Sequence, residues 1–362
     1  MDNEKHLEVN DIIIKVQQID WKIILGVLSP IISYYITKKG VKNCILHKEY
    51  KPKDIKSIVL PPELLPKYSD IDEEKILAQR FGESVLRFAK FMVDKFPPEN
   101  LINFYNNINE LMVSQKSGFK REEIIGQYDS GENKIEISDE SSIYHELFHM
   151  ASTISKSNVI YTGFNQEIFK PKRISLGNGI NEGYTQLLTK RYFENVAFKD
   201  SYSYLVLVAS TLERVVGQEK TEKLYLNADL FGLINELKSY ASEEEIMNFI
   251  AATDFFRNHF NNKKKLNDAK DMIVKSLKTI SDFLVRISAK KLNGQFVEGK
   301  ITIKVFSEEL ALCISALGHS ITIGKRKYEY LSNKTIEEIL MDVFSKTNFS
   351  FEGIEATPNH GK

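Results

Sequence analysis

Lys134-Ile135-Glu136-Ile137-Ser138 alternates polar and apolar residues, and Asp139 to Ile154 (DESSIYHELFHMASTI) follows it without a break. The alternation predicts a strand with one buried face. The next sixteen residues carry apolar side chains at helical spacing and predict a helix, its first turn capped by Ser138 or Asp139. Just upstream, Asp129-Ser130-Gly131-Glu132-Asn133 has the residues of a turn. A strand running into a helix, in a chain otherwise dominated by helical patterns, predicts an α+β fold that is mostly helical.

Working outward, apolar residues recur at helical spacing from Asp70 to about Phe96, where Pro97-Pro98 ends the helix, and a second helix is expected from about Glu99 to Ser114. Asn158 to Gly179 is rich in Gly, Asn and Lys and is expected to be a loop. A further helix should begin near Ile180 or Asn181 and reach about Phe193. Beyond Ser201 the pattern is mainly helical to about residue 290, with a strand or hairpin arm expected in Val297–Phe306 and a helix in Glu308–Leu317. The expected organisation is an N-terminal extension (1–69), a lobe with a small sheet and the helix above (70–196), and a mainly helical C-terminal lobe (197–362). The runs Glu243–Glu245 and Lys263–Lys265 are expected to be solvated surface, and the residues from about Gly353 a frayed tail.

The 362 residues carry 49 Lys plus Arg against 49 Asp plus Glu, so no global field selects nucleic acid, and no basic-aromatic module is present. Cys44 and Cys313, the only two cysteines, are too few for a disulfide framework and are expected as reduced, buried thiols. The acidic opening Met-Asp-Asn-Glu-Lys is unlike a secretory signal. The apolar run Ile23–Thr37, broken by Pro30, is shorter than the roughly 20 residues that a spanning helix needs. A buried or interfacial segment is the expectation there, with membrane attachment through Ile23–Thr37 as the alternative. The bulk of the chain is read as cytoplasmic.

The chemistry is carried by His145-Glu146-Leu147-Phe148-His149, an H-E-x-x-H string inside the expected helix. Positions i and i+4 share a face, so both imidazoles can reach one cation, while the glutamate between them is displaced toward a water on that cation. Two imidazoles plus a third protein group leave an open position on Zn²⁺, where water is acidified toward neutral pH. Such residues on a half-buried helix are costly unless paired or metal-bound. Asn181-Glu182-Gly183-Tyr184-Thr185 opens the next strong helix and supplies Glu182 as a candidate third ligand; the alternative is a helix N-terminal glutamate favoured by the macrodipole.

Over residues 124–194 these motifs resemble the gluzincin (thermolysin-like) group of zinc metallopeptidases. The resemblance implies a zincin-like lobe, Zn²⁺ as cofactor, His145, His149 and Glu182 as ligands, and Glu146 as general base. It also implies that Lys134–Ser138 is the edge strand that pairs with extended substrate. Many members of the group carry an acidic residue three or four positions after the glutamate ligand, to orient a histidine; here Thr185 and Gln186 stand there, able to accept a hydrogen bond but uncharged. For the donor that stabilises an oxyanion, Tyr161, Tyr184, Tyr202, Tyr204 and His319 are candidates, and Tyr161 is preferred because it lies in the segment leaving the active-site helix. The expected function is zinc-dependent hydrolysis of a peptide or protein substrate. A non-catalytic zinc-binding regulatory or interaction protein is the alternative.

Overall fold

The computed structural model describes residues 71–117, 125–156, 159–168, 174–193, 202–260, 266–323 and 326–345. The N-terminal extension with Ile23–Thr37 and Cys44, the Lys263–Lys265 run, the tail from Gly353 and the expected boundary at 196/197 lie outside these residues. Among the described residues, no helix is long and apolar enough to cross a membrane.

The architecture is mostly helical with small sheets, as the patterning predicts. The apolar stripe expected over Asp70–Phe96 is two helices, α1 (Glu73–Leu77) and α2 (Gly82–Lys95), because Phe81 takes a left-handed conformation at φ 65° and breaks the run. The helix expected to reach Ser114 is shorter: α3 spans Ile102–Ile108, and the chain then enters β1 (Met112–Gln115). β2 (Gly126–Asp129) and β3 (Lys134–Ile137) form the hairpin that the Asp129–Asn133 turn implies.

The resemblance made Lys134–Ser138 an edge strand, and the sheet corrects that placement. The order is β1-β3-β2, with β3 parallel to β1 and antiparallel to β2, so Lys134–Ile137 is central. The reason is the pairing with β1 on its other side, which no residue of the strand itself records; Ile135 and Ile137 are fully buried there. The edge beside the next helix is β2.

Asp139 caps a 3₁₀ turn, Glu140–Ser142, through Ser141 N–H, and α4 (Ile143–Ala151) follows with all nine residues buried. α4 ends three residues sooner than expected because Thr153–Lys156 is a strand, β4. The expected loop 158–179 also contains strands. β5 (Val159–Thr162), β6 (Asn165–Ile168) and β7 (Ile174–Leu176) continue from β4 as an antiparallel meander, β4-β5-β6-β7. Thr153, Ile154, Val159, Ile160, Tyr161 and Thr162 are β-branched or aromatic, which suits a pleated, half-buried surface despite the polar residues between them.

α5 (Asn178–Phe193) then packs on α4, on α6 (Ser203–Val216) and on α9 (Glu243–Phe260), with α7 (Gln218–Leu226) and α8 (Leu230–Leu237) between the last two in the chain. Two glycines in α5 permit this close packing. A Cβ at Gly179 would stand 2.4 Å from Thr253 O of α9, and one at Gly183 would stand 2.3 Å from Leu205 O of α6. Glycine inside a helix costs about 1 kcal/mol relative to alanine, and here that cost admits two neighbouring backbones. α10 (Leu266–Val297), α11 (Ile303–Leu317), the hairpin β8 (Ser320–Ile323) and β9 (Arg326–Glu329), and α12 (Asn333–Ser345) complete the fold. The strand expected in Val297–Phe306 is absent: α10 runs to Val297, and Thr302 caps α11 through Val305 N–H. Thr302 is a favourable N-cap, and the alternation Ile301, Ile303, Val305 gave way to it.

The buried face of α4 meets an aromatic cluster. Phe148 is fully buried, its ring centroid 5.0 Å from Phe88 and 6.1 Å from Phe193, and Tyr144 stacks on Phe193 at 4.0 Å and 9°. These rings seat α4 against α2 and the end of α5. Phe148→Ala is expected to lower the unfolding free energy by about 3–5 kcal/mol, read by chemical denaturation. A loss below about 1 kcal/mol would show that this cluster does not hold α4 in place.

Candidate metal centre

α4 and α5 carry the three side chains singled out in the sequence into one buried group. His145 and His149 lie one turn apart on α4, and Glu182 lies near the start of α5. His145 Nε2 is 3.1 Å from His149 Nε2 and 3.3 Å from Glu182 Oε2, and His149 Nε2 is 3.7 Å from the same oxygen. All three residues are buried, and together they form a group able to hold a metal ion. Tetrahedral ligands with bonds of about 2.0–2.1 Å stand about 3.3 Å from one another, which is the size of this triangle. Two imidazole nitrogens 3.1 Å apart that aim at one point also repel unless a proton or cation lies between them. The donor set and spacing therefore fit a divalent ion of the zinc type.

The far sides of the rings bear on the same question. His145 Nδ1 lies 2.9 Å from Gln186 Oε1, an acceptor that keeps the hydrogen on Nδ1 and leaves the Nε2 lone pair for a metal. The uncharged Gln186 thus occupies the position where the resembled group often has an acid. Around His149 Nδ1 stand Asn181 Nδ2 at 3.3 Å and Thr185 Oγ1 at 3.5 Å. Thr185 Oγ1 donates to Asn181 O and lies 2.6 Å from Tyr225 OH, so it retains accepting capacity toward the histidine. Asn181 is fixed by Phe164 N–H, which donates to its Oδ1.

Glu146 projects from the same helix but stands apart from the three-donor group. Burial raises its carboxyl above the usual range, against the lowering effect of His145 and His149. The nearby Tyr128 backbone of β2 also lowers it, by less. β2 comes this close because residue 126 is glycine. A Cβ there would stand 2.4 Å from Ser142 Oγ and 3.0 Å from Glu146 Oε1. Ile125 O accepts from Ser138 N–H at 2.8 Å, so the antiparallel alternation gives Gln127 and Asp129 to the ladder with β3. Gly126 and Tyr128 then turn their main-chain groups outward, along the edge beside Glu146.

Glu182 has two further neighbours: Arg257, to which the sequence assigns no role, and Tyr202, one of the candidate oxyanion donors. Arg257 of α9 donates from Nη2 to Glu182 Oε1 at 2.8 Å. Burial would raise the Glu182 carboxyl, but Arg257 and the two histidines hold it well below the ordinary carboxylate range. Tyr202, at the N-terminus of α6, stacks its ring on His145 at 5.8 Å and 17°. Burial, with Glu182 nearby, pushes its phenol upward, so it remains a proton donor at neutral pH. Of the other tyrosines considered, Tyr184 donates to Glu213, Tyr204 lies beside Ser281 Oγ, and Tyr161 stands in β5 between Ile154 and Gln166. His319 Nδ1 lies against Leu331 O, beside the β8–β9 hairpin.

α5 is held at both ends. Asp254, one turn before Arg257 on α9, accepts from Gly177 N–H at 2.8 Å and Gly179 N–H at 2.6 Å, and so caps α5 from a distant segment. Toward the other end, Arg191 donates to Glu213 of α6 and Glu222 of α7, which also accept from Tyr184 and Tyr192. The chain matches no known protein family, no curated protein and no solved structure. Asp254→Ala is expected to lower the unfolding free energy by about 1–2 kcal/mol through loss of this cap, as measured by urea denaturation. Unchanged stability would mean that α5 ends on water or other donors instead.

Proposed function

We propose that this chain is a metal-dependent hydrolase acting on peptide bonds, with Zn²⁺ as the ion and a zincin-like arrangement of β2, β3, α4 and α5. The observation that carries the reading is a pair of features on one helix. Two imidazoles converge with Glu182 on a single point, and a second carboxylate, Glu146, stands next to that point without joining the donor set.

His145, His149 and Glu182 would hold the ion, which would supply Lewis acidity toward a carbonyl and acidify a water toward neutral pH. Glu146 would take a proton from the attacking water and pass it to the leaving amine. Its raised carboxyl suits both directions of transfer. Gln186 Oε1 fixes the His145 tautomer that ligation requires. Tyr202 is the donor for charge developing on the substrate carbonyl, chosen over Tyr161 because its ring lies on His145, beside the donor group. An extended peptide is taken up along the outer edge of β2, where Gly126 and Tyr128 offer main-chain groups, so affinity would depend little on side-chain sequence.

The experiment is metal content and peptide hydrolysis for wild type, Glu182→Ala and Glu146→Gln. Wild type is expected to carry about one zinc, Glu182→Ala to lose it, and Glu146→Gln to keep it while hydrolysing a mixed peptide pool at least about 100-fold more slowly. Zinc without hydrolysis in wild type would favour the non-catalytic metal-binding protein. Absence of zinc would end the reading altogether.

A further inference from the structure

The Glu182 carboxylate is divided between two tasks. Oε2 faces the histidines at 3.3 and 3.7 Å, and Oε1 faces Arg257 Nη2 at 2.8 Å. A glutamate side chain has three free torsions, and those of an isolated Glu182 would carry Oε2 in and out of the donor triangle. The guanidinium removes that freedom and occupies the one oxygen that would let the carboxylate chelate through both. Its own position is determined at several points. Nη1 reaches Asn258 Oδ1 at 3.3 Å, and α9 is docked on the start of α5 by the two hydrogen bonds that Asp254 accepts. Arg257 Nε is enclosed and has no hydrogen-bond partner. The guanidinium is half-buried, at 30% side-chain exposure, and its partner Glu182 is at 11%, so the pair lies closer to the interior than an ordinary surface ion pair.

We propose that Arg257 is a positioning residue for the metal: it restricts Glu182 to ligation through Oε2 alone and holds that oxygen at the convergence point of His145 and His149. The inference rests on the metal-binding reading above and adds that the third ligand is placed from α9, 75 positions downstream of it. A simple counter-ion would require only a positive charge near Glu182, whereas a positioning residue requires the two-dimensional fork of a guanidinium. Replacing arginine with lysine separates the two.

The test uses the full chain, stripped of metal with a chelator and titrated with Co²⁺, whose visible absorption reports coordination geometry. Wild type is compared with Arg257→Met, Arg257→Lys and Asp254→Ala, each first shown by circular dichroism to be folded. Wild type is expected to take up about one equivalent of Co²⁺ with the intense absorption of a four-coordinate site. Arg257→Met should bind it about 10–100-fold more weakly, with an altered spectrum as Oε1 becomes available. Arg257→Lys should restore little of either property, and Asp254→Ala, which loosens the start of α5 but leaves the guanidinium on Oε1, should lose much less affinity than Arg257→Met and keep the wild-type spectrum. Wild-type affinity and spectrum in Arg257→Met would overturn the proposal, as would full rescue by lysine. An equal loss in Asp254→Ala would overturn it too, by showing that a loosened α5 is sufficient. Failure of wild type to bind Co²⁺ would remove the metal reading itself, a result distinct from the others.

Discussion

The structure depends on keeping several ionisable side chains buried at the contact between α4 and α5. His145, Glu146, His149 and Glu182 are all nearly inaccessible to solvent. An unpaired buried carboxylate or imidazolium costs several kcal/mol, so the contact survives only if each group finds a partner. Arg257 and the histidines serve Glu182, Gln186 serves His145, and the β2 backbone lies beside Glu146. Much of the surrounding fold can be understood as the means of delivering those partners. β2 approaches α4 through a glycine, α9 approaches α5 through another, and α6 brings Tyr202 over the His145 ring.

This arrangement makes the position of the third donor a property of the whole helical half rather than of α5 alone. α4 is anchored by aromatic packing on α2, which has no polar requirement and tolerates little movement. α5 is anchored differently, by Asp254 at its start and by the Arg191, Glu213 and Glu222 group near its end. The helix itself sets the spacing of the two imidazoles, one turn apart on α4, and the apolar anchor fixes where that helix lies. The polar anchors set the height and rotation of Glu182 against them. A change in α6, α7 or α9 could therefore be felt at the donor triangle without touching it.

The parts of this arrangement legible in the sequence were those encoded locally. The five residues His145–His149 declare a pair of donors on one helical face, and Ile135 with Ile137 declares a buried strand. Glu182 stands near the opening of α5, and the triangle joins it to the histidines. What escaped the sequence depends on tertiary context. β3 became central because β1, 22 positions upstream in register, pairs with its other side, and nothing within Lys134–Ser138 records that. The meander after α4 is masked by Gly, Asn and Lys in its turns, and its signal lies in the β-branched and aromatic runs at Thr153–Ile154 and Val159–Thr162. In Val297–Phe306, alternation and an N-cap threonine competed, and the cap prevailed.

Arg257 is the most informative omission. An arginine in the last turn of a helix has an ordinary explanation in the helix dipole, so composition and periodicity give no reason to single it out. The one local hint is its spacing of three from Asp254, which places an acid and a base on the same face of α9. Such a pair would usually be read as an intrahelical ion pair. In this fold the two residues turn instead toward α5, Asp254 to its backbone and Arg257 to its glutamate. The same helix face thus secures both the start of α5 and the side chain that α5 presents. That double use explains why α9 must lie close enough to require Gly179, and why a donor on one helix answers to a residue so far along the chain.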